Sequence, residues 1–186
     1  ISEKDLFGWN KLVVVYSGRF QPFHNGHYTA YQKLVSKFGK LNVYIATSNK
    51  TDSEKSPFNF AEKKLIMTTL FNVPADKIIN VKNPYTPVEI LDKYEKTKTS
   101  YIAAVGEKDA ARLGGKYFKK YKDGIVLNSY DENGYVYIIP MIQNDISGTR
   151  VRDVLSNGSY DEKKKMFLHL YPKYDEKIFN LIVNRL

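Results

Sequence analysis

The sequence predicts an α/β fold built on a doubly wound, mostly parallel sheet with added C-terminal helices, and three observations carry that prediction. The first is the continuous apolar run Leu12-Val13-Val14-Val15-Tyr16, rich in β-branched residues, as expected of a strand covered on both faces. The second is the change of period after that run. The strand pattern stops at Ser17-Gly18, a helical spacing begins near Gly26 and continues through Tyr31, Leu34 and Phe38, and residues 41–47 then read as a second strand. A strand, helix, strand order of this kind implies a parallel pair joined by a right-handed crossover. The third is that strand and helix patterns keep alternating along the chain.

Taken in order, residues 48–59 are polar and broken by Pro57, which marks a loop. Residues 60–71 return to helical spacing, with Leu65, Ile66, Thr69 and Leu70 on the apolar side. A short strand is expected at 77–81, a short helix at 87–94 and an apolar strand at 101–105. Gly106-Glu107-Lys108-Asp109 leads from that strand into another helix. Residues 125–130 and 135–139 flank Asp131-Glu132-Asn133-Gly134, a pattern that predicts a hairpin. From Ser147 onward the chain is mostly helical, with breaks at Gly158 and Pro172. No repeat or linker divides the 186 residues, so a single domain is expected, with residues 1–10 as an N-terminal extension and 160–186 as C-terminal helices.

Composition narrows the class. Hydrophobic residues make up 42% and charged residues 26%, the balance of a soluble globular protein. No run of 18 apolar residues is present, so no membrane-spanning helix is expected. The first residues lack the apolar stretch of a signal peptide and lack an initiator Met, so processing or excision from a longer chain is expected. The absence of Cys removes disulfides and thiolate chemistry, and a reducing cytoplasmic setting is the natural default. The formal charge is +9, from 29 Lys and Arg against 20 Asp and Glu. A polyanionic substrate and a lysine-rich surface kept for solubility both account for it. Residues 116–122 and Lys163-Lys164-Lys165 read as solvated helix faces. A nucleic-acid partner is therefore not expected, and a homo-oligomer is compatible with the sequence.

In doubly wound sheets, ligands bind beyond the carboxyl ends of the strands. The turns to inspect come after Tyr16, Val105 and Ile139. The first holds Gly18-Arg19-Phe20-Gln21-Pro22-Phe23-His24-Asn25-Gly26-His27, with two of the chain's three histidines. Gly26 is expected to let a ligand approach closely, and a helix starting there presents free N–H groups and a partial positive charge to an anion. Zinc would need a third ligand, and His169 stands isolated in the C-terminal region, so no protein metal site is assigned. Neither Gly-x-x-x-x-Gly-Lys-Ser/Thr nor Gly-x-Gly-x-x-Gly occurs where it would bind phosphate.

The last turn holds Ile146-Ser147-Gly148-Thr149-Arg150-Val151-Arg152. Ser147 is an expected N-cap, Thr149 lies in the first helical turn, and the arginines offer forked donors suited to phosphate. In the middle turn, Gly106 and Asp109 suit a nucleotide ribose, although a glycine turn with a helix-capping acid accounts for them equally. Lys55 reads as a solvated lysine, and the Pro-flanked loop 83–87 as a wall for an acceptor pocket.

Residues 18–27 resemble the HxGH signature of the nucleotidyltransferase superfamily, and GRFQPFHNGH is similar to that of archaeal-type nicotinamide-mononucleotide adenylyltransferases. Residues 146–152 resemble the ISxTxxR motif that accompanies HxGH, and residues 53–60 resemble the loop before the second helix of the archaeal family. The resemblance implies that His24 and His27 contact the phosphates of a nucleoside triphosphate and stabilise charge as pyrophosphate leaves. It gives Ser147, Thr149 and Arg152 to the β- and γ-phosphates, places Arg150 at a variable position, and adds Gly18, Arg19, Phe20, Gln21, Gly26, Gly106 and Asp109 to the nucleotide site. The implied reaction transfers AMP from ATP to a phosphomonoester, foremost nicotinamide mononucleotide to give NAD, with Mg²⁺ held by the substrate. The alternatives are a cytidylyltransferase acting on a phosphorylated alcohol or sugar, and a non-catalytic nucleotide-sensing or RNA-binding module.

Overall fold

A computed structural model of the chain describes residues 11–140 and 148–186. Thirteen elements succeed one another there. They are β1 (Lys11–Ser17), α1 (Asn25–Phe38), β2 (Val43–Thr47), α2 (Phe60–Phe71), β3 (Ile78–Asn80), α3 (Val88–Leu91) and β4 (Thr99–Val105), then α4 (Glu107–Ala110), β5 (Phe118–Lys120), β6 (Gly134–Ile138), α5 (Gly148–Asn157), α6 (Tyr160–Leu170) and α7 (Glu176–Arg185). The strands form one six-stranded sheet in the order β3-β2-β1-β4-β6-β5, and every pair is parallel. The winding reverses between β1 and β4, which places the switch point beyond Ser17 and Val105.

The sheet is covered on both faces, as its apolar strands require. Val13, Val14 and Val15 have no exposed surface. Because side chains alternate along a strand, Leu12, Val14 and Tyr16 join one core with α1, α2 and the C-terminal helices, while Val13 and Val15 join another with Tyr101, Ala103, Val105 and Ile90. Helix α2 sets Lys63, Ile66, Met67, Leu70 and Phe71 inward, spaced as one helical stripe. Leu65 falls outside that stripe and is 48% exposed, contrary to the apolar-side reading. No helix among the described residues is long and apolar enough to cross a membrane.

The expected hairpin does not form. Residues 125–130 carry no strand, and β6 pairs in parallel with β4 through Ile102 and Tyr135 and with β5 through Phe118 and Gly134. The turn itself exists, with Glu132 N–H donating to the Ser129 carbonyl, but the segment before it is pinned to the start of β4 instead. Tyr130 N–H donates to the Thr99 carbonyl, and the Ser100 hydroxyl donates to the Leu127 carbonyl. The edge position next to β6 is taken by residues 118–120, inside the lysine-rich stretch read as a helix face. Lys119 and Lys120 remain exposed on that edge strand, which suits an edge that must not recruit another strand.

The C-terminal helices fold back on the body. Gly158 ends α5, and a Cβ there would lie 2.6 Å from the Val154 carbonyl oxygen, so the break needs glycine. Arg185 Nε donates to Glu62 Oε2 at 2.5 Å, tying α7 to α2. Asn25 Nδ2 donates to the His169 carbonyl at 3.0 Å, tying α1 to α6.

Candidate active site

The turn after β1 is compressed onto an aromatic base. Phe20 lies in the left-handed region at φ 50° and is 3% exposed, its ring set edge-on to Tyr16 and to His27 at 5.1 Å each. Gly18 is required by that packing, because a Cβ there would come within 2.9 Å of the Phe20 ring. Phe23, fully buried, stacks on His27 at 5.5 Å and meets the Phe20 ring edge-on at the same distance. The Gln21 side chain is committed at both ends: Nε2 donates to the Phe58 carbonyl at 2.9 Å, and Phe58 N–H donates to Oε1 at 2.8 Å. Gln21 thus fastens the turn to the loop before α2, with its side-chain amide engaged there.

The two histidines build the start of α1 between them. His24 is the N-cap, its Nδ1 accepting from Gly26 N–H at 3.0 Å, and His27 Nδ1 accepts from His24 N–H at 3.2 Å. This is a reciprocal capping box made of imidazoles in place of the usual hydroxyl and carboxyl groups. A backbone N–H can only donate, so both Nδ1 atoms are unprotonated, and each neutral ring carries its proton on Nε2. Burial first, and the neighbouring His24 second, hold His27 well below its ordinary value of 6.5. The site therefore holds at least one neutral, fixed imidazole N–H donor at a helix N-terminus. Gly26 also serves the turn itself: a Cβ there would stand 2.8 Å from His24 Cε1, so glycine makes room for the His24 ring.

Opposite stands α5. Thr149 lies in its first turn, and Arg152 Nη1 donates across to the Gln21 carbonyl at 3.4 Å, joining two motifs 131 positions apart. A Cβ on Gly148 would stand 3.1 Å from that guanidinium nitrogen. Ser147 lies outside the described residues. Beyond β4, Gly106 has open space where a Cβ would project, which suits close approach by a ligand. Asp109 keeps 35% side-chain exposure but also faces neighbours: Arg112 Nε is 3.6 Å away, and burial followed by the Asp109 charge pushes the Tyr85 phenol up. Tyr85, on the Pro-flanked loop, carries the Arg112 guanidinium 5.3 Å above its ring.

A cleft of about 630 Å³ runs between these turns, large enough for a nucleotide. Gly18, Arg19, Phe20, Gln21, His24, Gly26 and His27 line one side. Gly106 and Asp109 from the turn after β4 and Thr149 and Arg152 from α5 continue the lining. Lys55, Lys108 and His169 join them, and sequence reasoning assigns none of the three to the site. His169 is far from isolated: the fold of α6 brings it into the same cleft as the other two histidines. Its link to Asn25 spans 144 positions, so no local pattern announces it. Lys55 does have a local signal. Asp52 Oδ1 accepts from the backbone N–H groups of Glu54, Lys55 and Ser56 at 3.0, 2.6 and 3.2 Å, a turn that an Asp at this spacing favours. Those bonds, the one from Lys55 foremost, also hold the Asp52 carboxyl below its ordinary range. Among the described residues no three His, Cys, Asp or Glu side chains gather as a metal set. Among the described residues the cleft is thus rich in cations and N–H donors with Asp109 as its one carboxylate, an arrangement suited to polyphosphate.

Parallel sheet, switch-point cleft and paired helix N-termini define a nucleotide-binding α/β protein of the nucleotidyltransferase type. A family model described as cytidylyltransferase-like matches residues 15–154, and the chain belongs to that family. It is 26% identical over 175 residues to a nicotinamide-nucleotide adenylyltransferase of Methanococcus maripaludis, covering 91% of this chain and 90% of that one. Its fold is shared with a Plasmodium falciparum nicotinic acid mononucleotide adenylyltransferase complexed with APC, at TM-score 0.55 and 13% identity over 94% of this chain and 96% of that one. The same holds for a bifunctional NMN adenylyltransferase/ADP ribose pyrophosphatase of Francisella tularensis complexed with AMP and Mn ion, at TM-score 0.54 and 19% identity. The match covers 94% of this chain, which spans about half, 52%, of that longer protein.

Proposed function

We propose that this protein is an adenylyltransferase that moves AMP from ATP onto nicotinamide mononucleotide, releasing pyrophosphate and forming NAD. One observation carries the chemistry: the imidazoles of His24 and His27, fixed by their own capping box, share a cleft with Thr149 and Arg152 of a second helix N-terminus. The choice of acceptor rests on the named relatives, which cover nearly the whole chain.

In this reaction a phosphate oxygen of the acceptor attacks the α-phosphorus of ATP. The bond from that phosphorus to the bridging oxygen of the β-phosphate breaks, and the electron pair leaves with pyrophosphate. An ionised phosphate is already nucleophilic, so no general base is needed and both imidazoles are available as donors. Their task is to meet negative charge that grows on the transferred and leaving phosphates, together with Arg152, Thr149 and the positive end of α1. Arg19, Lys55 and Lys108 add positive charge around the same space. A divalent ion, Mg²⁺ in this proposal, would arrive on the triphosphate with phosphate and water ligands and would neutralise part of its charge. A chain without Cys suits a reducing compartment, and the proposal places the reaction in the cytoplasm.

The test is pyrophosphate release measured with ATP, CTP, GTP and UTP, each against nicotinamide mononucleotide, nicotinic acid mononucleotide and a panel of phosphorylated alcohols and sugars. Release with ATP and a pyridine mononucleotide is expected. Release only with CTP and a phosphorylated alcohol would transfer the protein to the cytidylyl reading, and silence throughout would favour a sensing module.

A further inference from the structure

Lys63 is the one charged side chain of α2 that points into the protein at almost full burial, with 1% of its surface exposed. Its ammonium makes three hydrogen bonds: to Thr47 Oγ1 at 2.6 Å, to the Ser48 carbonyl at 2.8 Å and to the Arg19 carbonyl at 3.1 Å. Three donors meet three acceptors, so the ammonium is fully satisfied, and no carboxylate among the described residues forms an ion pair with it. Buried charges without a counter-ion are rare, because desolvation is costly. Lys63 does not line the cleft, yet one of its bonds falls on the residue that opens the phosphate turn.

We propose that Lys63 is a positioning residue for the nucleotide site, its ammonium clamping the Arg19 carbonyl so that the Arg19–Phe20 peptide and the Arg19 side chain are presented to the triphosphate. The inference rests on the adenylyltransferase reading given above. In a trans peptide the carbonyl and the next N–H point in opposite directions. With the Arg19 carbonyl turned inward to Lys63, the Phe20 N–H points the opposite way. Thr47 Oγ1 donates to the same carbonyl at 3.3 Å, so the clamp has two parts. It also holds Phe20 in its left-handed conformation beneath His27.

A neutral amine keeps only two N–H donors, so loss of the proton releases one of the three oxygens. Burial brings Lys63 from 10.5 down to about 8, and no neighbouring charge contributes to that shift. The charged side chains on the surrounding elements are Arg19 on the turn, Lys50, Asp52, Glu54 and Lys55 on the loop before α2, and, on α2 itself, Lys64 and Glu62 with its partner Arg185. The clamped, active form is the protonated one. Activity should therefore fall as pH rises through about 8.

The test is the pH profile of kcat/KM between pH 6.5 and 9.5 for the wild type, Lys63→Arg and Lys63→Met, with thermal melts to establish folding. The wild type should show an alkaline limb near pH 8. Lys63→Arg, which cannot lose its proton in this range, should retain activity at pH 9, while Lys63→Met should lose about tenfold in kcat/KM at pH 7 and show no limb. An unchanged limb in either folded variant would overturn the proposal, and so would a flat wild-type profile whether or not the variants fold. Failure here leaves the adenylyltransferase reading standing as long as wild-type protein releases pyrophosphate. Silence of wild-type protein with every substrate pair would overturn both.

Discussion

At the scale of single residues, the histidine pair caps α1 and, in the proposed reaction, meets the phosphates, and the two roles can be separated. His27→Gln keeps an oxygen at the third helical position to accept from His24 N–H, as glutamine does in ordinary capping boxes. It removes the ring N–H that the proposed reaction uses on phosphate. Melting temperature should stay close to the wild type while kcat falls on the order of a hundredfold, the usual loss for one preorganised donor. Turnover near normal in a folded His27→Gln protein would remove His27 from the mechanism. Gly26→Ala separates the same two terms from the other side. Alanine favours a helix over glycine by about 1 kcal/mol, yet its Cβ would stand 2.8 Å from His24 Cε1 and must turn that ring. Turning it releases the His24 cap on Gly26 N–H, worth about 1 kcal/mol, so the two terms offset. A protein of near wild-type stability with clearly lower kcat is expected, read from melting curves and pyrophosphate release. Equal activity would mean that the orientation of His24 does not matter.

At the scale of elements, the stripe of α2 makes a sharp contrast available. Ile66 is fully buried against the sheet, and truncation to Ala should cost about 2–5 kcal/mol in urea denaturation. Leu65, one position earlier and 48% exposed, should change stability by no more than about 0.5 kcal/mol as Leu65→Ser. Comparable losses at both positions would contradict the packing of this helix. The same element shows what a sequence makes legible. The β1–α1–β2 unit stands out because its signals are local: an apolar run, a glycine-rich turn and helical spacing. The position of Arg152 and Thr149 opposite the histidines comes from the rule for parallel sheets, although the residues are far apart in the chain. Lys63 does not stand out, because a lysine in a charged stretch reads as solvated and only tertiary packing turns it inward. Strand β5 is hidden for a related reason. Three residues, two of them lysines, carry no strand period, and pairing with β6 alone makes them a strand.

At the scale of the whole molecule, proton linkage ties the site to global stability. The folded state holds His27 below its ordinary 6.5, by burial first and by His24 second, while the unfolded chain titrates near that value. Between the two values the unfolded state binds a proton that the folded state does not, so stability is full above about pH 6.5 and declines as pH falls toward the folded value. Lys63 has the same sign in a different window. Its value drops from 10.5 to about 8, so its contribution is lost as pH falls across that range and is constant below it. An acid slope between pH 7.5 and 5.5 therefore contains the His27 contribution and none from Lys63, while most carboxylates titrate lower still. Urea midpoints at pH 7.5, 6.5 and 5.5 should fall more steeply for the wild type than for His27→Gln, which has no proton to gain at that position. Parallel declines in the two proteins would mean that His27 is solvated and protonates in the folded state. The capping box would then open in mild acid, because an imidazolium has no lone pair at Nδ1 to accept from His24 N–H.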